Sequence, residues 1–164
     1  MQMRTANIKN SGGLYTFYSK QTVNSNIQNV WDFFSKTKNI EKIMPKKLEF
    51  KNTSGRSSEF YEGKIVGFKF KLFKFIPINI QSEIKKISHN RYFIDNQIYG
   101  PYKFWHHEHH FHQNDNETVT IVDKVKYKLY LYPFSKIIYH LIIKKQLKEM
   151  FSYRNLKINQ IFSQ

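Results

Sequence analysis

With 164 residues and no cysteine, the chain excludes disulfides, thiol catalysis and thiolate metal centres, and it is long enough for one domain with a real core or an enclosed pocket. Aromatic residues make up 17% of it, which suits either dense packing or the wall of a greasy cavity. The net charge of +15 rests on lysine, with only 4 arginines among 27 cationic residues, the bias an AT-rich genome produces; with no helix-turn-helix, zinc-finger or RNP-like pattern, no specific nucleic-acid partner is expected, and weak contact with anionic membrane surfaces is the surface role left open.

Residues 1–13 read as a polar leader without the apolar h-region of a secretory signal. A first strand follows over residues 14–23. Ser25 and Gln28 have the spacing of a capping box, and the helix they open carries Ile27, Val30, Trp31 and Phe34 on one stripe. Residues 39–43 form a second short helix, stopped before Pro45. From there to about residue 131 the pattern alternates. Leu48 and Phe50 mark a short strand, and residues 63–73 a longer one, with Phe68, Phe70 and Leu72 opposite Lys69 and Lys71. Ile78, Ile80 and Ile84 then alternate with Asn79, Gln81 and Glu83. Residues 91–98 lead to a Gly100-Pro101 turn, and two further strands are joined by a turn at residues 114–117. Pro133 opens a long helix to about Phe162. Its second part has an apolar face of Ile143, Leu147, Met150, Ile158 and Ile161, with Arg154 in the middle. Phe134, Ile137, Ile138 and Leu141 point elsewhere, which places a bend near His140. The apolar run 137–143 is far below the roughly 20 residues of a membrane span, so a soluble, cytoplasmic protein is expected.

The penultimate strands carry the functional signal. A strand sends successive side chains to opposite faces. One parity holds Trp105, His107, His109 and Phe111, then Val119, Ile121, Asp123, Val125, Tyr127 and Leu129; the other holds Lys124, Lys126 and Lys128. The first parity is the inner face, and polar groups there are costly unless paired, so it reads as the lining of a cavity. Arg154 needs an acidic partner, and Asp95 and Asp123 are the candidates. His107 and His109 have the H-x-H spacing at which two imidazoles meet one metal ion, with Asp95 or Asp123 as a third ligand. Without a cysteine or an E-x-x-H element, the preferred reading is hydrogen-bonded core histidines and no metal. Acid–base catalysis by a carboxylate near these histidines, with Tyr127 as proton donor, is the other sharp reading. The elements together are α+β: a curved antiparallel sheet of six or seven strands wrapped around a long C-terminal helix, with two short helices inserted after the first strand.

Asp95-x-Gln97 is followed by Gly100-Pro101-Tyr102, Trp105-x-His107-x-His109-x-Phe111, Thr118, Asp123-x-Val125-x-Tyr127, Pro133 and Phe151-x-Tyr153-Arg154. Earlier, Val30-Trp31-Asp32-Phe33-Phe34, Ile43-Met44-Pro45 and Ile76-Pro77 stand at matching places. In this order and spacing the residues resemble the START/polyketide-cyclase-like superfamily, SRPBCC, and in particular its small bacterial ligand-binding members, from about residue 14 onward. The chain departs from the pattern at Ser135, where glycine is common, and at Ile80, where tryptophan is common and where a pocket wall is altered. The resemblance implies a helix-grip domain over residues 14–164 that holds a hydrophobic small molecule, a lipid, isoprenoid or polyketide-like compound. Asp95, Gln97, His107, His109, Asp123 and Arg154 would orient its polar end, while Trp105, Phe111, Tyr127, Met150 and Phe151 line the wall. The alternative is an aromatase/cyclase- or dehydratase-like enzyme in the same cavity. Because the superfamily spans carriers, receptors, cyclases and chaperone activators, no activity, catalytic residue or cofactor is assigned.

Overall fold

Successive runs of alternating residues pair into hairpins: β1 (Thr5–Ser11), β2 (Leu14–Asn24), β3 (Lys51–Asn52), β4 (Ile65–Leu72), β5 (Ile76–Ser88), β6 (Tyr92–Tyr99), β7 (Phe104–Gln113) and β8 (Thr118–Lys128). The computed structural model describes residues 5–55, 59–72, 75–114, 117–138 and 142–163. The strands form one antiparallel sheet in the order β1-β2-β8-β7-β6-β5-β4-β3. The count of eight exceeds the six or seven expected, because part of the presumed polar leader is β1. An edge strand needs only backbone partners on one side, and β1 finds them in β2, from Thr5↔Lys20 to Ser11↔Leu14. The strand expected around Leu48 and Phe50 is also displaced: Leu48 ends a 3₁₀ turn, and pairing begins at Lys51.

Between β2 and β3 stand α1 (Ile27–Phe34), α2 (Thr37–Ile40) and the 3₁₀ turns Glu41–Ile43 and Lys46–Leu48. The α1 cap is Asn26, whose Oδ1 accepts from Asn29 N at 2.8 Å. Ser25 is therefore one residue too early for the expected capping box, and Gln28 turns to Asp32 and Asn90 instead. After β8 come α3 (Ser135–Ile138) and α4 (Lys144–Phe162). The bend expected near His140, and part of the turn at residues 114–117, lie outside the described residues. No helix among the described residues is long and apolar enough to cross a membrane.

The inner parity of the sheet faces α4, and two apolar cores form along that helix. At one end Ile158 joins Val30, Trp31 and Phe34 of α1 with Phe93, Phe111 and Ile121. At the other, Leu147 and Phe151 join Tyr15, Phe17, Val125 and Tyr127. Arg154 lies between these two groups of α4 residues, so an ion pair is set between two greasy blocks.

Candidate functional site

Strand register assembles the polar cluster. Asp95 on β6 stands opposite His107 on β7, and His109 stands opposite Asp123 on β8. All four side chains share one face, and α4 lays Arg154 over them. Asp123 and Arg154 are 2% and 5% exposed, and the Arg154 Nη2 to Asp123 Oδ1 distance is 3.4 Å. Of the two acidic candidates, Asp123 is therefore the partner of Arg154. The guanidinium also stacks near Phe34 and Phe151, at 5.6 and 5.5 Å from their ring centres.

Each histidine bridges the two aspartates. His107 Nε2 is hydrogen-bonded to Asp123 Oδ1 at 3.1 Å, and its Nδ1 stands 3.7 Å from Asp95 Oδ2. His109 Nδ1 stands 2.9 Å from Asp123 Oδ1, and its Nε2 stands 3.3 Å from Asp95 Oδ2. The two imidazole rings are tilted by 38° to one another, with centroids 3.7 Å apart. Their environments push them in opposite directions. Burial, reinforced by the charge of His109, drives His107 down to about 4. Burial also opposes charging of His109, but the Asp123 and Asp95 carboxylates beside it outweigh that and raise the group above the ordinary histidine value. The two are thus driven apart, with His109 the more readily charged of the pair. Asp123 is held well below the ordinary carboxylate value: burial opposes this, and Arg154, followed by the histidines, overrides it. Asp95 is lowered too, with His109 outweighing burial.

Between the sheet and α4 lies a cavity of about 280 Å³. Its walls come from three places: Phe68, Phe70, Ile78 and Ile80 on β4 and β5; Ile40, Ile43 and Met44 in the helical insertion; Leu147, Met150 and Phe151 on α4. Asp95, His107, His109 and Arg154 form its polar patch, with Trp105 and Tyr102 beside them. Burial pushes the Tyr102 phenol up to about 12.

Seven of the eleven expected site residues therefore line one cavity: Asp95, Trp105, His107, His109, Met150, Phe151 and Arg154. The other four stand off it. Asp123 sits behind the histidines. Phe111 belongs to the α1 core, and Tyr127 is buried against Tyr15 with ring centres 5.3 Å apart. Gln97 donates from Nε2 to the Tyr102 carbonyl at 2.7 Å and ties the turn between β6 and β7. Apart from Ile80, which the resemblance set at a pocket wall, the far wall on β4 and β5 received no role from the sequence, although its alternation was visible. On the opposite face of β7, Glu108 is gripped by His106, His110, Lys124 and Lys126. Burial notwithstanding, His110 and these lysines draw it down to about 2.

No family model and no curated protein matches the chain. Solved structures do. Protein Ms6760 from Mycobacterium smegmatis superposes with a TM-score of 0.70 at 12% identity, over 98% of this chain and 98% of its own. Ginseng major latex-like protein 151 from Panax ginseng gives 0.63 at 12% identity, over 92% and 99%. Norcoclaurine synthase from Thalictrum flavum, solved in complex with dopamine and hydroxybenzaldehyde, gives 0.63 at 15%, over 88% and 86%. At such identities the likeness speaks to the fold, and it runs along nearly the whole chain. The fold is the helix-grip fold that these structures share, as the motifs led one to expect.

Proposed function

We propose that the protein binds and carries a hydrophobic small molecule with a polar or anionic end in the cavity between sheet and α4. The observation that carries this reading is one apolar cavity with a single buried ionic patch on its wall. Apolar walls supply affinity, roughly 25 cal/mol per Å² of ligand surface before association costs, and a few fixed polar groups supply orientation. Arg154 lines the cavity, and its guanidinium is a charged donor suited to an oxygen of the occupant. Norcoclaurine synthase, of the same fold, was solved with two small aromatic molecules bound, and a lipid, isoprenoid or polyketide-like compound of modest size suits a cavity of about 280 Å³ here. Denaturing extraction of the purified protein, followed by mass spectrometry, should release such a molecule. An empty extract from a protein that also fails to bind a fluorescent apolar probe would sink the proposal. Ile80→Trp places an indole where Ile80 lines the cavity and should cut probe binding at least tenfold with the circular dichroism spectrum unchanged.

The cyclase- or dehydratase-like alternative draws on His109 and Asp95 at the same wall, but Tyr127, its expected proton donor, does not line the cavity. It requires that His109→Ala abolish turnover of a cyclisable substrate while binding survives.

Ligand exchange would take place at an anionic membrane surface. Tyr130, Leu131, Tyr132, Phe134 and Ile137, after β8, are exposed, with Leu131 and Phe134 at 78% and 80%. The pairing of Phe104 with Lys128 brings exposed Phe104 to the same end of the sheet, where Lys103, Lys128 and Lys136 are also exposed. Basic residues beside an anionic bilayer contribute about 1 kcal/mol each. Co-sedimentation with phosphatidylserine vesicles should fall steeply with salt and be lost in Leu131→Asp/Phe134→Asp. Binding equal to that on neutral vesicles would count against this docking mode.

A further inference from the structure

We propose that Asp95, His107 and His109 form a binding site for one divalent first-row transition ion, with its remaining coordination positions facing the apolar cavity. The sequence argued against a metal because it shows no motif beyond H-x-H. What it does not show is where the ring nitrogens point. Each imidazole turns one nitrogen to Asp123, His107 through Nε2 at 3.1 Å and His109 through Nδ1 at 2.9 Å. A neutral imidazole carries its single proton on one nitrogen. In the neutral form that binds a metal, a proton on the nitrogen nearer Asp123 leaves His107 Nδ1 and His109 Nε2 as lone pairs, and these atoms stand 3.7 and 3.3 Å from Asp95 Oδ2.

Three potential donor atoms thus lie within 4.8 Å of one another. A divalent cation among them would be shared by all three. An ion bound at 2.0–2.2 Å in tetrahedral geometry holds its ligands about 3.3–3.6 Å apart, close to the spacing Asp95 Oδ2 already has from both nitrogens. Asp123 then plays the outer part that metal-bound histidines require, fixing tautomer and ring orientation of both at once. Arg154 matches the charge of Asp123, so the formal charge left at the inner three residues is that of Asp95 alone.

Two imidazoles and one carboxylate, without thiolate, select zinc, ferrous iron, cobalt or nickel over magnesium and calcium. All three residues line the cavity, so an open position is reached only from its interior. The natural further donor is an anionic oxygen (carboxylate, enolate or phenolate) on the apolar occupant. That last step rests on the carrier reading above, whereas metal binding itself does not.

The outer face of β7 must be removed from the test, because His106 and His110 grip Glu108 and His112 stacks over His110. The experiment therefore uses the full chain carrying His106→Gln, His110→Gln and His112→Gln, titrated with Co²⁺ and Zn²⁺ alone. One equivalent should bind, with a visible Co²⁺ spectrum of nitrogen and oxygen coordination that Zn²⁺ displaces. Adding the isosteric Asp95→Asn, or His109→Gln, should weaken binding by roughly tenfold or more. In ¹⁵N spectra, Zn²⁺ should move His107 Nδ1 and His109 Nε2. No binding by the triple variant, or equal binding with Asp95→Asn in a protein whose circular dichroism is native, overturns the proposal. A failed titration beside a positive lipid or probe extraction separates this loss from any loss of the carrier reading.

Discussion

Arg154→Leu is expected to lower folding stability by about 3–5 kcal/mol, the usual cost of removing one partner from a buried ion pair. Arg154 falls on the apolar face of α4, between Phe151 and Ile158, where leucine is the residue that helix packing alone would select. A leucine there keeps the apolar contact and loses the charge. The loss matters because Asp123 is 2% exposed and its carboxylate is held well below its ordinary value with Arg154 as the chief stabilising charge. Left without the guanidinium, Asp123 keeps only the histidines. The pH dependence follows in sign. A carboxyl depressed in the folded state contributes stability above its unfolded value, near 3.9, and loses that contribution as the pH falls through the folded value. The gap between wild type and Arg154→Leu should therefore be wide at pH 7 and narrow as the pH drops below about 4. Urea unfolding at the two pH values measures it, and a variant within 1 kcal/mol of wild type at pH 7 would mean that Asp123 does not depend on Arg154.

The parts of this site that were legible in the sequence are those governed by parity. His107, His109 and Asp123 break an otherwise apolar inner face, and the 100° step of the helix wheel put Arg154 opposite them. Which carboxylate it meets was not legible, because Asp95 and Asp123 share the same parity and only strand pairing separates them. His109↔Asp123 and Asp95↔His107 are facts of register. Parity also misplaced Gln97. It stands two residues beyond Asp95, but there β6 is ending and its amide closes the turn to β7 rather than facing the cavity. Tyr127 and Phe111 show a different limit: an inward side chain is either wall or core, and that depends on what packs over it. β1 was missed for a third reason. Thr5–Ser11 has little alternation to read, since an edge strand is held by backbone pairing, and Ile8 packs against a core cluster. Finally, Phe68, Phe70, Ile78 and Ile80 alternated plainly, yet nothing local distinguishes a strand that faces a cavity from one that faces a filled core.

Phe151→Ala decides between those last two states for the α4 side of the cavity. Phe151 is 1% exposed, packs on Phe17 with ring centres 4.4 Å apart, and stands at 6.1 Å from His107. It therefore serves as core on one side and as cavity wall on the other. Deleting the ring should cost about 3–5 kcal/mol, from lost apolar burial and from the void left behind. The void is the informative part. In a filled core it would be an isolated hole. Here it joins the existing space of about 280 Å³ and enlarges it, so a bulkier apolar probe should fit the variant than fits wild type. A ligand that binds only the folded state returns stability by mass action, about 2.7 kcal/mol at one hundred times its dissociation constant. Urea unfolding of Phe151→Ala with and without a saturating bulky probe should recover most of the loss, while wild type gains less from the same probe. Equal gains in both proteins would mean that the ring of Phe151 does not bound the ligand space, and a loss below 1 kcal/mol would mean that it is not core either.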